Sequence, residues 1–153
     1  DFLTQIALPS YNEETRTGMK MEVMMAQAIL ESGWGRSKLA KEHNNFFGIK
    51  EYRKGKKGAK LATNEYVKGK KVRVKAKFRK YNSPKDCFAD RSEWFLNNYR
   101  YDDLDFKTVD WVDLTIELQE RGYATDPDYS IRLIRIVKKY KLDKYSKWVR
   151  KEI

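Results

Sequence analysis

Glu31 is the residue in this sequence best placed to do acid chemistry. It closes an apolar helical run in which Met21, Met24 and Ala28 recur at helical spacing, with Gln27 one turn earlier. Ser32-Gly33-Trp34-Gly35 follows at once, and its glycines read as helix terminators. A carboxyl in the last turn of a buried helix faces the negative end of the helix dipole and apolar neighbours. Both disfavour its charge and raise its pKa, as a general acid working near neutrality requires. The competing reading is a glutamate that simply ends a helix in solvent. Other chemistries find little support. His43 is the only histidine and Cys87 the only cysteine. A His-rich zinc site is therefore excluded, and a Cys–His dyad would need these two side by side. No G-x-S-x-G elbow or P-loop occurs. We expect no metal and no cofactor.

The elements that must hold Glu31 are mostly helical. Asp1–Leu8 has one apolar side and reads as a short helix that Pro9 interrupts or restarts. Ser10 with Glu13 has the spacing of a capping box, and the polar run ends at Gly18. Met19–Leu30 is the central helix, its methionines filling core. Arg36–His43 reads as a short helix, and Asn44-Asn45 as a turn before Phe46, Phe47 and Ile49 return to the core or line a groove. Between residues 51 and 81 the pattern changes. Val72, Val74, Ala76 and Phe78 alternate with Arg73, Lys75, Lys77 and Arg79, the period of a strand with one basic face. Leu61–Val67 is its partner through Lys68-Gly69, with Leu61, Thr63, Glu65 and Val67 on one face. Ser83-Pro84 opens a third major helix with Phe88, Ser92, Phe95 and Tyr99 on one side. Asn97–Lys107 is a polar connection. Thr108 caps a helix with Trp111, Leu114 and Leu118 inward. Asp126-Pro127 starts another with Ile131, Ile134 and Val137 on one side and Leu133 and Ile136 adjoining, and a basic helical tail follows from Leu142.

Four blocks carry a resemblance: AQAILESGWG at Ala26–Gly35, NNFFGIK at Asn44–Lys50, Thr63–Ser83, and GYATDPDY at Gly122–Tyr129. Together and in this order they resemble the glucosaminidase domain of bacterial peptidoglycan hydrolases, glycoside hydrolase family 73. The resemblance touches most of the chain from Met21 to about Tyr140. It implies an α+β, mainly α, lysozyme-like domain whose β-hairpin lobe walls one side of a cleft, with residues 1–153 forming one catalytic domain. It implies cleavage of the β-1,4 bond after N-acetylglucosamine in cell-wall glycan. Glu31 matches the family's general acid within ESGWG. Glu65 stands where a second carboxylate is usually proposed, to activate water or stabilise charge. Taken alone, Glu65 also fits a strand residue paired with a lysine. Tyr123 matches a cleft aromatic whose hydroxyl could position the substrate acetamide or water, and equally fits a tyrosine capping the core. Trp34, Asn45, Phe47 and Tyr66 are substrate-binding candidates, Trp34 and Phe47 being readable also as core. A muramidase or a lytic transglycosylase would use the same fold.

Hydrolysis needs a proton for the leaving oxygen and stabilisation of an oxocarbenium-like charge. Carboxyls about 5–5.5 Å apart indicate retention, about 6.5–9.5 Å inversion, and a substrate acetamide acting as nucleophile needs no second carboxylate.

Composition limits the partners. The formal charge is +11, which implies an anionic partner through long-range attraction. Nucleic acid, an acidic membrane surface and an anionic wall all qualify by charge. No recognised nucleic-acid motif appears, although basic strands with interleaved aromatics can mimic an oligonucleotide-binding surface. We therefore expect peptidoglycan glycan strands as substrate, anionic wall polymers as the charge partner, no nucleic acid and a monomer. The 14% of aromatic residues suits ring faces packing on sugars, or ordinary core and rim packing. No apolar stretch is long enough to span a bilayer, so no membrane insertion is expected. The chain begins at Asp1 without a Met and shows no signal peptide. We expect an extracellular or wall-located mature product or excised domain, any export signal lying outside these residues.

Overall fold

The computed structural model describes residues 1–153. It is built around one helix, α2 (Met21–Ser32), ten of whose twelve residues are buried: Met21–Ile29 and Ser32. A helix that is apolar nearly all round must be wrapped on every side. The wrapping elements are α1 (Phe2–Thr17), α5 (Trp111–Glu120), α6 (Tyr129–Lys139) and α7 (Leu142–Glu152). Helix α4 (Pro84–Leu96) closes over α1, and a short α3 (Lys38–His43) links α2 to the β-lobe. One core cluster of 26 buried residues joins these elements. The mainly helical α+β class expected from the sequence is what the chain adopts.

Helix α1 departs from expectation. It runs unbroken from Phe2 to Thr17 through Pro9. A proline inside a helix forfeits one backbone bond and costs about 3 kcal/mol. Burial of Ile6, Ala7, Ser10 and Glu13 along one face recovers that cost, since one fully buried aliphatic side chain contributes about 1.5–3 kcal/mol. The expected capping box does not form. Asp1 caps instead, accepting from Thr4 N at 2.9 Å, while Glu13 pairs with Arg16 at 2.7 Å. A left-handed Gly18 ends the helix as read. Glu14 reaches across to accept from Met21 N at 3.0 Å, so α1 supplies the cap that Lys20 cannot give α2. Arg150 of α7 then binds Glu14 at 2.6 Å and the nearly buried Glu22 at 2.7 Å, locking three helices together.

The β-lobe is a two-stranded antiparallel hairpin, β1 (Ala59–Val67) and β2 (Lys70–Phe78). Lys68 and Gly69 form the turn, with φ of 52° and 78°, the two positive values of a type I′ turn that matches the strand twist. Register pairs Glu65 with Val72, Thr63 with Val74 and Leu61 with Ala76. That face is apolar from Ala59 and Phe78 through Val72, with Thr63 and Glu65 as polar members and Lys70 beside the turn. The other carries Lys60, Lys71, Arg73, Lys75 and Lys77. The lobe is fastened at its base, where Arg79 binds Asp90 of α4 at 2.8 Å and the Tyr81 hydroxyl donates to the same carboxylate at 2.6 Å. Asp90 is thus an anchor of the lobe.

Smaller differences have local causes. Helix α5 is capped by Asp110, which accepts from Asp113 N at 2.8 Å, and Thr108 lies upstream of it. The connection after α4 contains a 3-10 turn at Tyr99–Tyr101, which buries Tyr101 and leaves Tyr99 at the surface. In α6 the buried stripe is Tyr129, Leu133 and Val137, whereas Ile131 is exposed. Cys87 is buried in α4, and burial pushes its thiol up to about 12. No helix is long and apolar enough to cross a membrane.

Candidate active site

The last turn of α2 ends in a locked corner. Gly33, left-handed at φ 55°, returns its N–H to Ile29 O. The Ser32 hydroxyl donates to Ala28 O and accepts from Gly35 N at 2.8 Å. A side chain at Gly35 would strike the Phe2 ring at 2.6 Å in a backbone of φ 75°, so only glycine fits there. Trp34 packs edge-on against Tyr140 at 4.6 Å and against Phe2 at 6.3 Å. This corner holds Glu31 close to the Gly48 backbone, where it feels the charges of Glu65 on the β-lobe and Asp126 in the loop 122–128.

The Tyr129 hydroxyl lies against the Glu31 carboxyl. A Cβ added at Gly48 would sit 4.0 Å from its Oε2, so the NNFFGIK segment runs directly past the carboxyl. Water reaches part of the side chain, which is exposed by accessible area. Protein nevertheless crowds the carboxyl, and this desolvation is the main cause of a pKa pushed up to about 7. The Tyr129 hydroxyl opposes the rise, and the negative charges of Glu65 and Asp126 add to it.

Glu65, on β1, has both oxygens engaged. Lys50 Nζ lies 2.6 Å from Oε1, and the Thr125 hydroxyl donates to Oε2 at 3.3 Å. The same Thr125 oxygen accepts from Tyr66 N at 2.9 Å. The hairpin therefore reaches over and touches the loop 122–128. Tyr66 lies at this contact, with its backbone serving as donor. Asp126 is held by Arg132 at 2.6 Å. The Tyr123 ring stacks on Phe95 at 5.4 Å and meets Trp94 at 5.5 Å. Its hydroxyl has no protein partner, and burial raises its pKa, as does the charge of Glu31.

The structure thus gathers Glu31, Glu65, Tyr123 and Tyr66 in one region, between the β-lobe and the loop 122–128. Two other candidates it does not bring there. Asn45 is 1% exposed, and its amide is fully employed. Its Nδ2 donates to Ile49 O and Arg79 O at 3.0 and 2.9 Å, and its Oδ1 accepts from Phe47 N and Ile49 N at 3.3 and 3.2 Å. It shapes the segment beside Glu31 and leaves no atom free for a ligand. Phe47 is core, 3% exposed and edge-on to Phe88 at 4.7 Å. Trp34 is gripped between two aromatic rings and fastens the corner. Reading by residue type passed over Lys50, Thr125 and Tyr129, which surround the carboxylates. Tyr129 lies within the GYATDPDY block, six residues after Tyr123, and that proximity was the available signal.

Two surface hollows lie elsewhere, of about 380 and 510 Å³. Their acidic residues are consumed in ion pairs: Glu14 and Glu22 with Arg150, Asp90 with Arg79, Glu93 with Arg16. No three His, Cys, Asp or Glu side chains converge as ligands for an ion. The arrangement at Glu31 is one of proton donation: a carboxyl near neutrality, a second carboxylate opposite, and an unengaged hydroxyl beside them.

The family model described as mannosyl-glycoprotein endo-beta-N-acetylglucosaminidase, or glucosaminidase, matches residues 9–142. The exo-glucosaminidase LytG of Bacillus subtilis is 40% identical over 127 residues, covering 80% of this chain and 45% of that protein. The chain thus spans less than half of that relative. Among solved structures, a peptidoglycan hydrolase mutant from Sphingomonas sp. A1 superposes with a TM-score of 0.79 at 30% identity, over 89% of this chain and 90% of that one. The catalytic domain of the autolysin Auto from Listeria monocytogenes gives 0.77 at 32% identity, over 94% and 85%.

Proposed function

Because the chain belongs to the glucosaminidase family of glycoside hydrolases, we propose that it cleaves the β-1,4 bond after N-acetylglucosamine in peptidoglycan glycan strands, with Glu31 as general acid. The observation that carries this reading is the Glu31 carboxyl, desolvated to a pKa of about 7 and gathered with Glu65 and Tyr123 in one region. In this mechanism Glu31 passes its proton to the glycosidic oxygen as the bond to the anomeric carbon breaks, a water adds its oxygen to that carbon, and the proton it sheds passes to a carboxylate, directly or through Glu65, so that Glu31 ends protonated again. Glu65, tied to Lys50 and Thr125, acts on the oxocarbenium-like charge or on the incoming water rather than as a bare nucleophile. The Tyr123 hydroxyl orients that water or the substrate acetamide, Tyr66 flanks the bound strand, and Trp34 braces the corner that presents Glu31. Residues 1–153 act as one catalytic domain and as a monomer at the bacterial cell wall. The charge of +11 holds it on anionic wall polymers.

Mass spectrometry of the ends released from purified peptidoglycan tests the reaction. Reducing N-acetylglucosamine ends are expected. Reducing muramic ends would make the protein a muramidase, and anhydro ends a transglycosylase.

The pH profile follows from the sign of the Glu31 shift. A general acid works in its protonated form, so the rate should fall as pH rises through about 7. An ordinary surface glutamate would lose its proton near 4.3, placing that fall about two to three units lower. Rates measured on purified walls in buffers of constant ionic strength check this. A fall complete by about pH 5 would remove the desolvated acid from the mechanism.

A further inference from the structure

Beneath the site lies a buried polar chain that the reaction as drawn does not use. Arg91 of α4 is 2% exposed, Gln27 of α2 is 0% exposed and Tyr129 of α6 is 2% exposed. Arg91 has no carboxylate partner. Its Nε donates to Gln27 Oε1 at 3.1 Å, and one terminal nitrogen donates to the same oxygen. Its other neighbours are the rings of Phe47 and Phe95, at 5.3 and 4.7 Å, and the Met19 sulfur at 3.7 Å. Gln27 Nε2 in turn donates to the Tyr129 hydroxyl oxygen at 3.0 Å.

We propose that Arg91 and Gln27 are positioning residues that fix the direction of the Tyr129 hydroxyl proton, aiming it at Glu31. The argument is one of donors and acceptors. A guanidinium can only donate, so the Gln27 amide must present its oxygen to Arg91. A flipped amide would set NH₂ against guanidinium N–H groups. With its oxygen so committed, Gln27 must present its nitrogen to Tyr129, and an amide nitrogen can only donate. The Tyr129 oxygen therefore accepts, and its own proton is left over. The hydroxyl lies against Glu31, and its bond favours the ionised carboxylate. A hydrogen bond to a carboxylate is stronger than one to a neutral acid. The chain thus steadies Glu31 most after the proton has left, which is when catalysis gains from it.

Burying a guanidinium with one amide oxygen is costly, and an apolar side chain of similar volume would be cheaper for stability. That cost has a use if the cation sets the polarity of the chain. The other groups facing Glu31 are Tyr123 and Asp126 from the loop before α6 and Glu65 from β1. Those facing Arg91 are Tyr123, Tyr129, Cys87 and Glu13. None of them can replace Gln27 as a link to Tyr129.

This inference rests on Glu31 as the acid, and the test separates the two. Side-chain carboxyl NMR gives the Glu31 titration midpoint directly, without activity. Tyr129→Phe keeps the ring and removes the hydroxyl, so the midpoint should rise by about half a pH unit or more. Arg91→Met should move it in the same direction, although residue 91 does not touch Glu31. Arg91→Lys should bring it back, since an ammonium also donates to Gln27 Oε1. The alkaline limb of the rate profile should follow each change. A merely structural Arg91 would lower the melting temperature and leave the Glu31 midpoint where it was. A midpoint unchanged in Tyr129→Phe, folded by circular dichroism, overturns the inference whether or not Arg91→Met folds. Glu31→Gln with full activity would instead overturn the assignment of the acid, while the NMR shifts still decide this chain of bonds.

Discussion

Glu31→Gln is expected to reduce wall lysis by about 10² to 10⁴-fold, the usual contribution of a positioned general acid. Glutamine has nearly the same shape and keeps the carbonyl, but it has no acidic proton to give. The loss should appear in kcat rather than in binding, because proton donation occurs only in the transition state. The variant should fold as well as the parent. The sign of the linkage shows why. The folded pKa of Glu31 lies above its unfolded value, so deprotonation is harder in the folded state. Below the unfolded value the group is protonated in both states and contributes no penalty. Between that value and about 7 the unfolded chain ionises while the folded one keeps its proton, so stability falls across this window and the full cost is in place above about 7. A neutral amide escapes that cost, so the melting temperature at alkaline pH should equal or exceed the parent's. Turbidity loss of purified walls, measured beside thermal melts, checks both halves. Retained lysis at the parental rate would exclude Glu31 as the acid.

Phe88→Ala should be the most damaging single change to stability, at about 3–5 kcal/mol. The residue is 0% exposed and sits between Phe47, edge-on at 4.7 Å, and Phe46, at 6.3 Å. Both belong to the segment that runs past Glu31. Truncation removes the ring contacts and leaves a void that helices α2 and α4 cannot collapse around, being fixed by the Gln27–Arg91 bonds. For a chain of this size the melting temperature should fall by roughly 10 °C. Activity at a temperature where the variant remains folded should also fall, because Gly48 and Asn45 lose their backing. Urea unfolding measures the first effect; a loss under about 1 kcal/mol would show that Phe88 is not a core wedge.

Sequence was informative wherever the decisive interactions are local. The end of α2 at Gly33, the αL stop at Gly18, the Ser83-Pro84 start of α4 and the two-residue hairpin turn all follow from backbone preferences within a few residues. Glu31 was legible for the same reason, since its place in the last turn of an apolar helix is a matter of spacing. Where a distant partner decides, local reading failed. Pro9 breaks no helix because α1 buries a whole face against other elements. Asn45 looks like a ligand group by type and is consumed by backbone atoms, one of them 34 positions away.

The sequence by itself determined a mainly helical domain, a basic hairpin lobe and an acid at a helix end. Only the tertiary structure decided how that acid is surrounded. Gln27 meets Arg91 across 64 residues and Tyr129 across 102, and Glu65 meets Thr125 across 60. A carboxyl's pKa depends on the matter and charge within a few ångströms, and separation along the chain says nothing about which residues those will be until the helices have packed.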